Sequence, residues 1–91
     1  MIDIQELARE LDLSEQELMR QGMRALILER IRLFSAEKQA RCAKFGVTSL
    51  EEMDELIRKS QVAEKDILED FQSVDYLEAR IKRLERFLER L

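Results

Sequence analysis

Few side chains in this 91-residue sequence could carry out chemistry, and they lack the neighbours that catalysis needs. The sequence has no histidine and a single cysteine, Cys42, so metal-thiolate clusters, zinc and haem sites and histidine-based triads have no ligands or bases. It also has no glycine-rich phosphate loop of the Walker or dinucleotide-binding type. We therefore expect no enzyme activity, no metal or other cofactor and no small-molecule substrate.

Two remaining groups of residues could in principle be reactive. Asp66, Glu69 and Asp70 have the i, i+3, i+4 spacing of one helix face, but carboxylate metal sites in helix bundles also use a Glu-x-x-His motif, which is absent. We interpret this cluster as a solvated acidic face. Cys42 has no histidine or second cysteine to activate it, so we predict a small buried apolar residue there.

The composition predicts an all-helical protein. Proline is absent, there are two glycines, and 40% of the residues are charged, with both signs interspersed; the frequent residues lose little entropy in a helix. The longest apolar run, residues 25–28, is far shorter than the roughly 20 residues that span a bilayer. With one cysteine and no signal-peptide pattern, we expect a cytoplasmic protein without disulfides or a membrane segment.

The start and stop signals of helices predict four of them in a single domain, two short and two long. Ser14 with Glu17, and Ser49 with Glu52, form capping boxes, and Gly46 suits the left-handed position of a Schellman motif in which Val47 folds back toward Cys42. The predicted helices are Ile4 to Leu11, Glu15 to about residue 45, Leu50 to about Lys59, and Glu64 to the C-terminus. The first two occupy residues 1–46 and the last two residues 47–91.

The fourth helix carries a heptad seam. Its apolar positions recur at alternating spacings of three and four residues, as at the a and d positions of a coiled coil, and they are Val74, Leu77, Ile81, Leu84, Leu88 and Leu91. This pattern fits an antiparallel hairpin with the second helix of the same chain. It fits equally well a parallel pair of chains, in which Arg80 would face Glu85 of the mate.

The length and apolar pattern of the second helix predict self-association. At about 30 residues it is more than twice the mean helix length, and its middle is apolar on more than one face, so it needs a partner along its length. We expect an intertwined homodimer with coiled-coil-like packing of long antiparallel helices. Gly22, which costs about 1 kcal/mol relative to alanine in a helix, would allow close approach. The predicted dimer interface consists of Met19, Gly22, Met23, Leu26, Ile27, Ile31 and Phe34.

Charge is distributed unevenly, since residues 51–78 carry a net charge of -7 while residues 14–46 and 79–91 each carry +3. An acidic segment of this kind attracts and orients a basic partner. The predicted partner-binding residues are Asp66, Glu69, Asp70, Phe71, Asp75, Tyr76 and Glu78. An alternative hypothesis, a DNA-binding regulator, would use Arg20, Arg24, Arg30 and Arg32, and a third is a structural coiled-coil adaptor.

Two resemblances bear on function. Residues 7–26, which read LAxxLxxSxxELxRxGxRxL, resemble the two helices and the turn of ribbon-helix-helix repressors. Those proteins read DNA with a strand before the first helix. Only Met1 to Gln5 precede it here and none is basic, so this resemblance implies helix pairing in a dimer more than DNA binding.

Nearly the whole chain resembles small helical proteins of bacteria and archaea that are the antitoxin halves of toxin-antitoxin pairs. The resemblance is carried by LAxELxxSxxELxRxGxRxLxLxRxR, FGVTSLEEMDELIRK and EDFQSVDYLEARIKRLERFLERL, in that order along the chain. It implies a cognate toxin, a small and basic protein such as an RNase, that is neutralised through an interface including the acidic third and fourth segments.

Overall fold

Four α-helices and no strand make up the structure. The computed structural model describes residues 1–91, with α1 at Ile4–Glu10, α2 at Glu15–Ala43, α3 at Leu50–Arg58 and α4 at Glu64–Glu89. The predicted all-helical fold, with two long and two short helices, is confirmed; each helix ends one or two residues earlier than predicted. None of the helices combines the length and the apolar character that crossing a membrane requires.

Polar side chains cap the N-termini of α1, α2 and α3 through hydrogen bonds to backbone amides. Ser14 Oγ accepts a hydrogen bond from the Glu17 amide at 3.0 Å, and Ser49 Oγ accepts one from the Glu52 amide at 3.1 Å. The Glu52 carboxylate reaches back one residue further than in a standard capping box and accepts from the Thr48 amide at 2.6 Å. Asp3 caps α1. These bonds use amides that the first turn of a helix cannot satisfy by itself.

The C-termini of α1, α2 and α3 share one geometry, the Schellman motif. At the end of α2 the Val47 amide donates to the Cys42 carbonyl at 3.2 Å, and the Gly46 amide donates to the Ala43 carbonyl at 3.2 Å, with Gly46 at φ 68°. The predicted motif is confirmed. The residues in the same left-handed position are Asp12 after α1, at φ 57°, and Ser60 after α3, at φ 55°. This backbone conformation is strained for a residue with a side chain but not for glycine.

The two long helices form an antiparallel hairpin within the chain. Lys38 of α2 pairs with Glu78 of α4 at 3.3 Å, while Arg41, further along α2, pairs with the earlier residue Asp70 at 2.9 Å. Val74 and Leu77 of the heptad seam are buried, and Ile81, Leu84 and Leu88 are half-buried. Of the two arrangements compatible with the seam, the structure has the intrachain hairpin.

The core lies at one end of the hairpin, where the end of α2, α3 and the start of α4 meet. Its fully buried side chains are Cys42, Met53, Ile67 and Val74. Only 7 of the 91 residues are buried, and the molecule measures 59 × 24 × 17 Å. Its radius of gyration of 19.0 Å exceeds the roughly 12 Å of a compact chain of this length, so much of the helical surface has no partner within the chain.

The N-terminal part of α2 extends beyond the hairpin. The contacts of Lys38 with Glu78, Phe34 with Arg80 and Arg41 with Asp70 place Glu89, the last residue of α4, opposite residues 22–27 of α2. Ile27 is half-buried and every residue from 19 to 26 is exposed. We call residues 15–26 the distal segment; it is about 18 Å long. Only α1 packs on this part of α2, with Ala8 buried and Leu18 half-buried.

The Schellman caps generate a stability prediction. Ser60→Gly should raise the free energy of unfolding by about 0.5–1 kcal/mol. Glycine relieves the strain of the left-handed conformation, and this gain exceeds the entropy that the more flexible residue loses on folding. Gly46→Ala should lower it by about 1 kcal/mol, although nothing lies within 4 Å of the added methyl group. Urea unfolding followed by circular dichroism measures both; a loss of stability in Ser60→Gly would contradict the argument.

Candidate protein-binding surface

One side of α2 carries a row of exposed apolar side chains. Met19, Met23, Leu26 and Leu33 are 54%, 48%, 58% and 46% exposed. Their spacing places them on one face of the helix, and Arg30 and Glu37 complete a heptad pattern of alternating fours and threes. We call these six residues the α2 stripe. Exposed apolar residues that are aligned, rather than scattered, are typical of a binding surface.

A shallow groove between α2 and α4 adjoins the stripe. It is lined by Phe34 and Glu37 from α2 and by Glu69, Gln72, Ser73, Tyr76, Leu77 and Arg80 from α4. The Arg80 guanidinium lies 5.0 Å from the centre of the Phe34 ring and donates to the Tyr76 hydroxyl at 2.7 Å. Because Glu37 belongs to both the stripe and the groove lining, the two features form one continuous surface, which we call the stripe-groove surface.

The structure divides the predicted dimer interface between two sides of α2. Met19, Gly22, Met23 and Leu26 are exposed, and nothing lies within 4 Å of a side chain built at Gly22. Ile27, Ile31 and Phe34 are half-buried on the side that faces α4, since they share a helix face with Lys38 and its Glu78 partner. Only the first four are therefore free within the chain.

Three members of the stripe, Arg30, Leu33 and Glu37, were not part of the dimer interface predicted from the sequence; Arg30 was predicted only as a contact of the DNA-binding alternative. The signal was present, because the 19, 23, 26, 30, 33, 37 spacing is a regular heptad. Arg30 and Glu37 occupy two positions of this heptad that are usually apolar, so the pattern is hard to recognise from the sequence. The groove itself had no sequence signal, since its two walls come from helices that are distant in the chain.

The predicted partner-binding residues also divide into two groups. Asp70 is 9% exposed and accepts from Arg41 at 2.9 Å and Lys44 at 3.1 Å. Glu78 binds Lys38, and Phe71 packs against the core. These three make contacts within the chain. The other four are exposed to solvent and are Asp66, Glu69, Asp75 and Tyr76.

The four arginines of the DNA-binding alternative are all exposed on α2. Arg20 pairs with Glu17 at 2.6 Å, and its hydrogen bonds lower the pKa of Glu17 to about 2. Arg32 pairs with Glu29 at 2.7 Å and lowers the pKa of that carboxyl. Arg24 and Arg30 have no ion-pair partner within the chain. The arrangement leaves two unpaired positive charges, one on the distal segment and one within the α2 stripe.

Cys42 is fully buried in the core, as predicted. Burial raises the pKa of its thiol, so the reactive thiolate form is disfavoured at neutral pH. No group of three or more cysteine, aspartate or glutamate side chains is placed to hold a metal ion.

Comparison with known proteins identifies one family. The model of the Uncharacterized protein MJ0235 family matches residues 1–91. No curated protein and no solved structure matches the chain.

The buried carboxylate that ties α4 to α2 generates a second prediction. Asp70→Ala should lower the free energy of unfolding by about 2 kcal/mol, because Arg41 loses its closest charged partner in a site largely screened from water. The control, Asp75→Ala, removes an exposed carboxylate of the same helix without an ion-pair partner and should stay within about 0.5 kcal/mol of the original chain. Equal effects in urea unfolding would contradict the assignment of Asp70 as a structural residue.

Proposed function

We propose that this chain, which belongs to the Uncharacterized protein MJ0235 family, works by binding other proteins, as a homodimer whose acidic end captures a basic partner. The observation that carries the proposal is the α2 stripe, with its four large apolar side chains between 46% and 58% exposed. Such residues, aligned along one helix, are stabilised when a second helix covers them.

The small core supports self-association. A chain of this size with seven buried residues has little apolar burial with which to offset the entropy of ordering two long helices. The distal segment is the least supported part, because α4 ends before reaching most of it and only α1 packs there. A second copy lying along α2 would bury the α2 stripe and support the distal segment.

The second partner is proposed from charge. Residues 51–78 carry a net charge of -7. Asp70 and Glu78 are bound to cations of α2, Glu52 is bound in a helix cap, and Asp54 and Glu55 pair with Arg58 of α3. The other acids of this segment face solvent around α3 and the first half of α4. Their combined field would accelerate and orient the association of a positively charged protein.

The most concrete form of this role is that of an antitoxin that neutralises a small toxin, an RNase, encoded beside it. The identity of the partner rests on the sequence resemblance described above. An RNase fits the acidic surface because proteins that hold RNA phosphates are rich in lysine and arginine. Nucleic acid is the less favoured partner, since the chain has a net charge of -4 and two of its four candidate arginines are already paired.

The dimer is tested by a matched pair of substitutions. Leu26→Glu places a charge on the α2 stripe and should convert the dimer to a monomer at micromolar concentration, because an unpaired charge cannot be buried in an apolar interface. Leu28→Glu, at a leucine that is 44% exposed on the opposite side of α2, should leave the dimer intact. Sedimentation velocity measures the mass. A monomeric original chain, or dissociation by both substitutions, would rule out this interface.

The antitoxin role is tested by co-expression with the adjacent small gene. We expect growth to be rescued and a complex to co-purify, and we expect Asp66→Lys with Asp75→Lys to abolish both by reversing charge on the acidic surface. The control, Glu10→Lys with Glu89→Lys, makes the same charge change outside that surface and should behave like the original chain. Circular dichroism checks that both variants fold. Toxicity that the original chain leaves unchanged, with no complex recovered, would end the antitoxin proposal.

A further inference from the structure

We infer that the two copies of the dimer lie antiparallel on each other's stripe-groove surface, so that Met19 of each chain packs at the edge of the groove of its mate and Met23 packs against Leu33. This inference rests on the proposed homodimer and adds its orientation and its contacts. Four observations support it: the charges within the α2 stripe, the charges at its two ends, the spacing of the stripe residues, and the lining of the groove.

The charges within the α2 stripe disfavour a parallel dimer. In a parallel two-fold arrangement each residue lies beside its own copy, so Arg30 would face Arg30 and Glu37 would face Glu37 across the interface. Like charges that are brought together in an interface oppose association. Both residues share one helix face with the four apolar members of the stripe. The Glu37 carboxylate lies 3.6 Å from Arg41 of its own helix, whereas Arg30 has no ion-pair partner, so the repulsion between the two copies of Arg30 is the stronger of the two.

The two ends of the stripe-groove surface present different charges. At one end, Arg20 and Arg24 lie next to Met19 and Met23 on the distal segment; Arg20 is paired with Glu17, and Arg24 has no ion-pair partner. At the other end, Glu37 and Glu69 line the groove together with Arg80. An antiparallel arrangement brings the unpaired Arg24 of one chain toward the two carboxylates in the groove of the other, and does so twice by symmetry.

The spacing within the stripe also matches an antiparallel pair. With the two-fold axis at the level of Leu28, Met23 of one chain faces Leu33 of the other, and Leu26 faces the aliphatic stem of Arg30. Met19 then faces Glu37 at the edge of the groove. Every large apolar residue of the stripe is covered in this register, and the overlap from Met19 to Glu37 is about 27 Å.

The groove lining suits methionine. Phe34 and Tyr76 supply aromatic rings on its two walls, and Arg80 holds them in place through its contact with the Phe34 ring and its hydrogen bond to Tyr76. Methionine is flexible enough to fill an irregular groove, and its sulfur makes favourable contacts with aromatic rings. Met19 and Met23 are the only methionines of α2, and both lie on the segment that reaches this groove.

Site-directed disulfide cross-linking tests the orientation in the full chain. Met23→Cys and Leu33→Cys are made separately, with Cys42 retained because it is fully buried. The two variants are unfolded together, refolded and oxidised, and the linked species are identified by intact mass. We expect the mixed 23-to-33 link to exceed both self-links by at least about tenfold, because only that pair is held close together. A third variant, Leu28→Cys on the opposite side of α2, should remain unlinked.

The other outcomes are distinct from one another. Dominant 23-to-23 and 33-to-33 links would overturn the antiparallel orientation while leaving the homodimer intact. If the 23-to-23, 33-to-33 and 23-to-33 links formed in statistical proportions, or if position 28 linked equally well, the α2 stripe would not be the interface. No links, together with a monomeric mass in sedimentation, would overturn the dimer itself and with it that part of the proposed function.

Discussion

The packing of the first half of α4 against the last third of α2 is the contact on which the rest of the structure depends. It brings Ile67 and Val74 against Cys42, gives α3 a surface on which Met53 becomes fully buried, and places Asp70 between Arg41 and Lys44. Apolar burial supplies the stability, while the buried carboxylate with two cationic partners favours one register of the two helices over its neighbours. A shift of either helix by one turn would separate these charges and leave Asp70 buried without a partner.

This register also determines what remains uncovered. Because α4 follows α2 through the turn at Gly46, α3 and the loop after it, its start is anchored at the core and its end falls opposite residues 22–27 of α2. Most of the distal segment of α2 therefore lacks a neighbour on the α4 side. The α2 stripe lies on another side of α2, which α4 does not cover at any point, since Leu33 within the hairpin is 46% exposed. The packing of α4 on one side of α2 therefore leaves the stripe side free for a binding partner.

Charge separates the molecule into two ends with different roles. The acids of α3 and early α4 surround the core end, whereas the last turns of α4 are rich in arginine and the distal segment carries two arginines, of which Arg24 is unpaired. Within the fold, cations from the end of α2 pair with Asp70 and Glu78, the two acids of α4 that face inward. The outward acids and Arg24 are left for intermolecular contacts, which is why one surface can serve a second copy of the chain and another a basic protein.

The sequence by itself determined the helices and their ends, because caps, Schellman motifs and helix propensity act over a few neighbouring residues. Ser14, Ser49 and Gly46 could be assigned for this reason, as could the burial of Cys42 and the heptad seam of α4. The similar ends at Asp12 and Ser60 carried no glycine and so gave no clear signal. Tertiary structure alone decided which face of each helix is covered, since that depends on the register between residues about 40 positions apart, such as Lys38 and Glu78. That is why Asp70 changed from a candidate binding residue to a buried structural one, and why the groove emerged only when α2 and α4 were brought together.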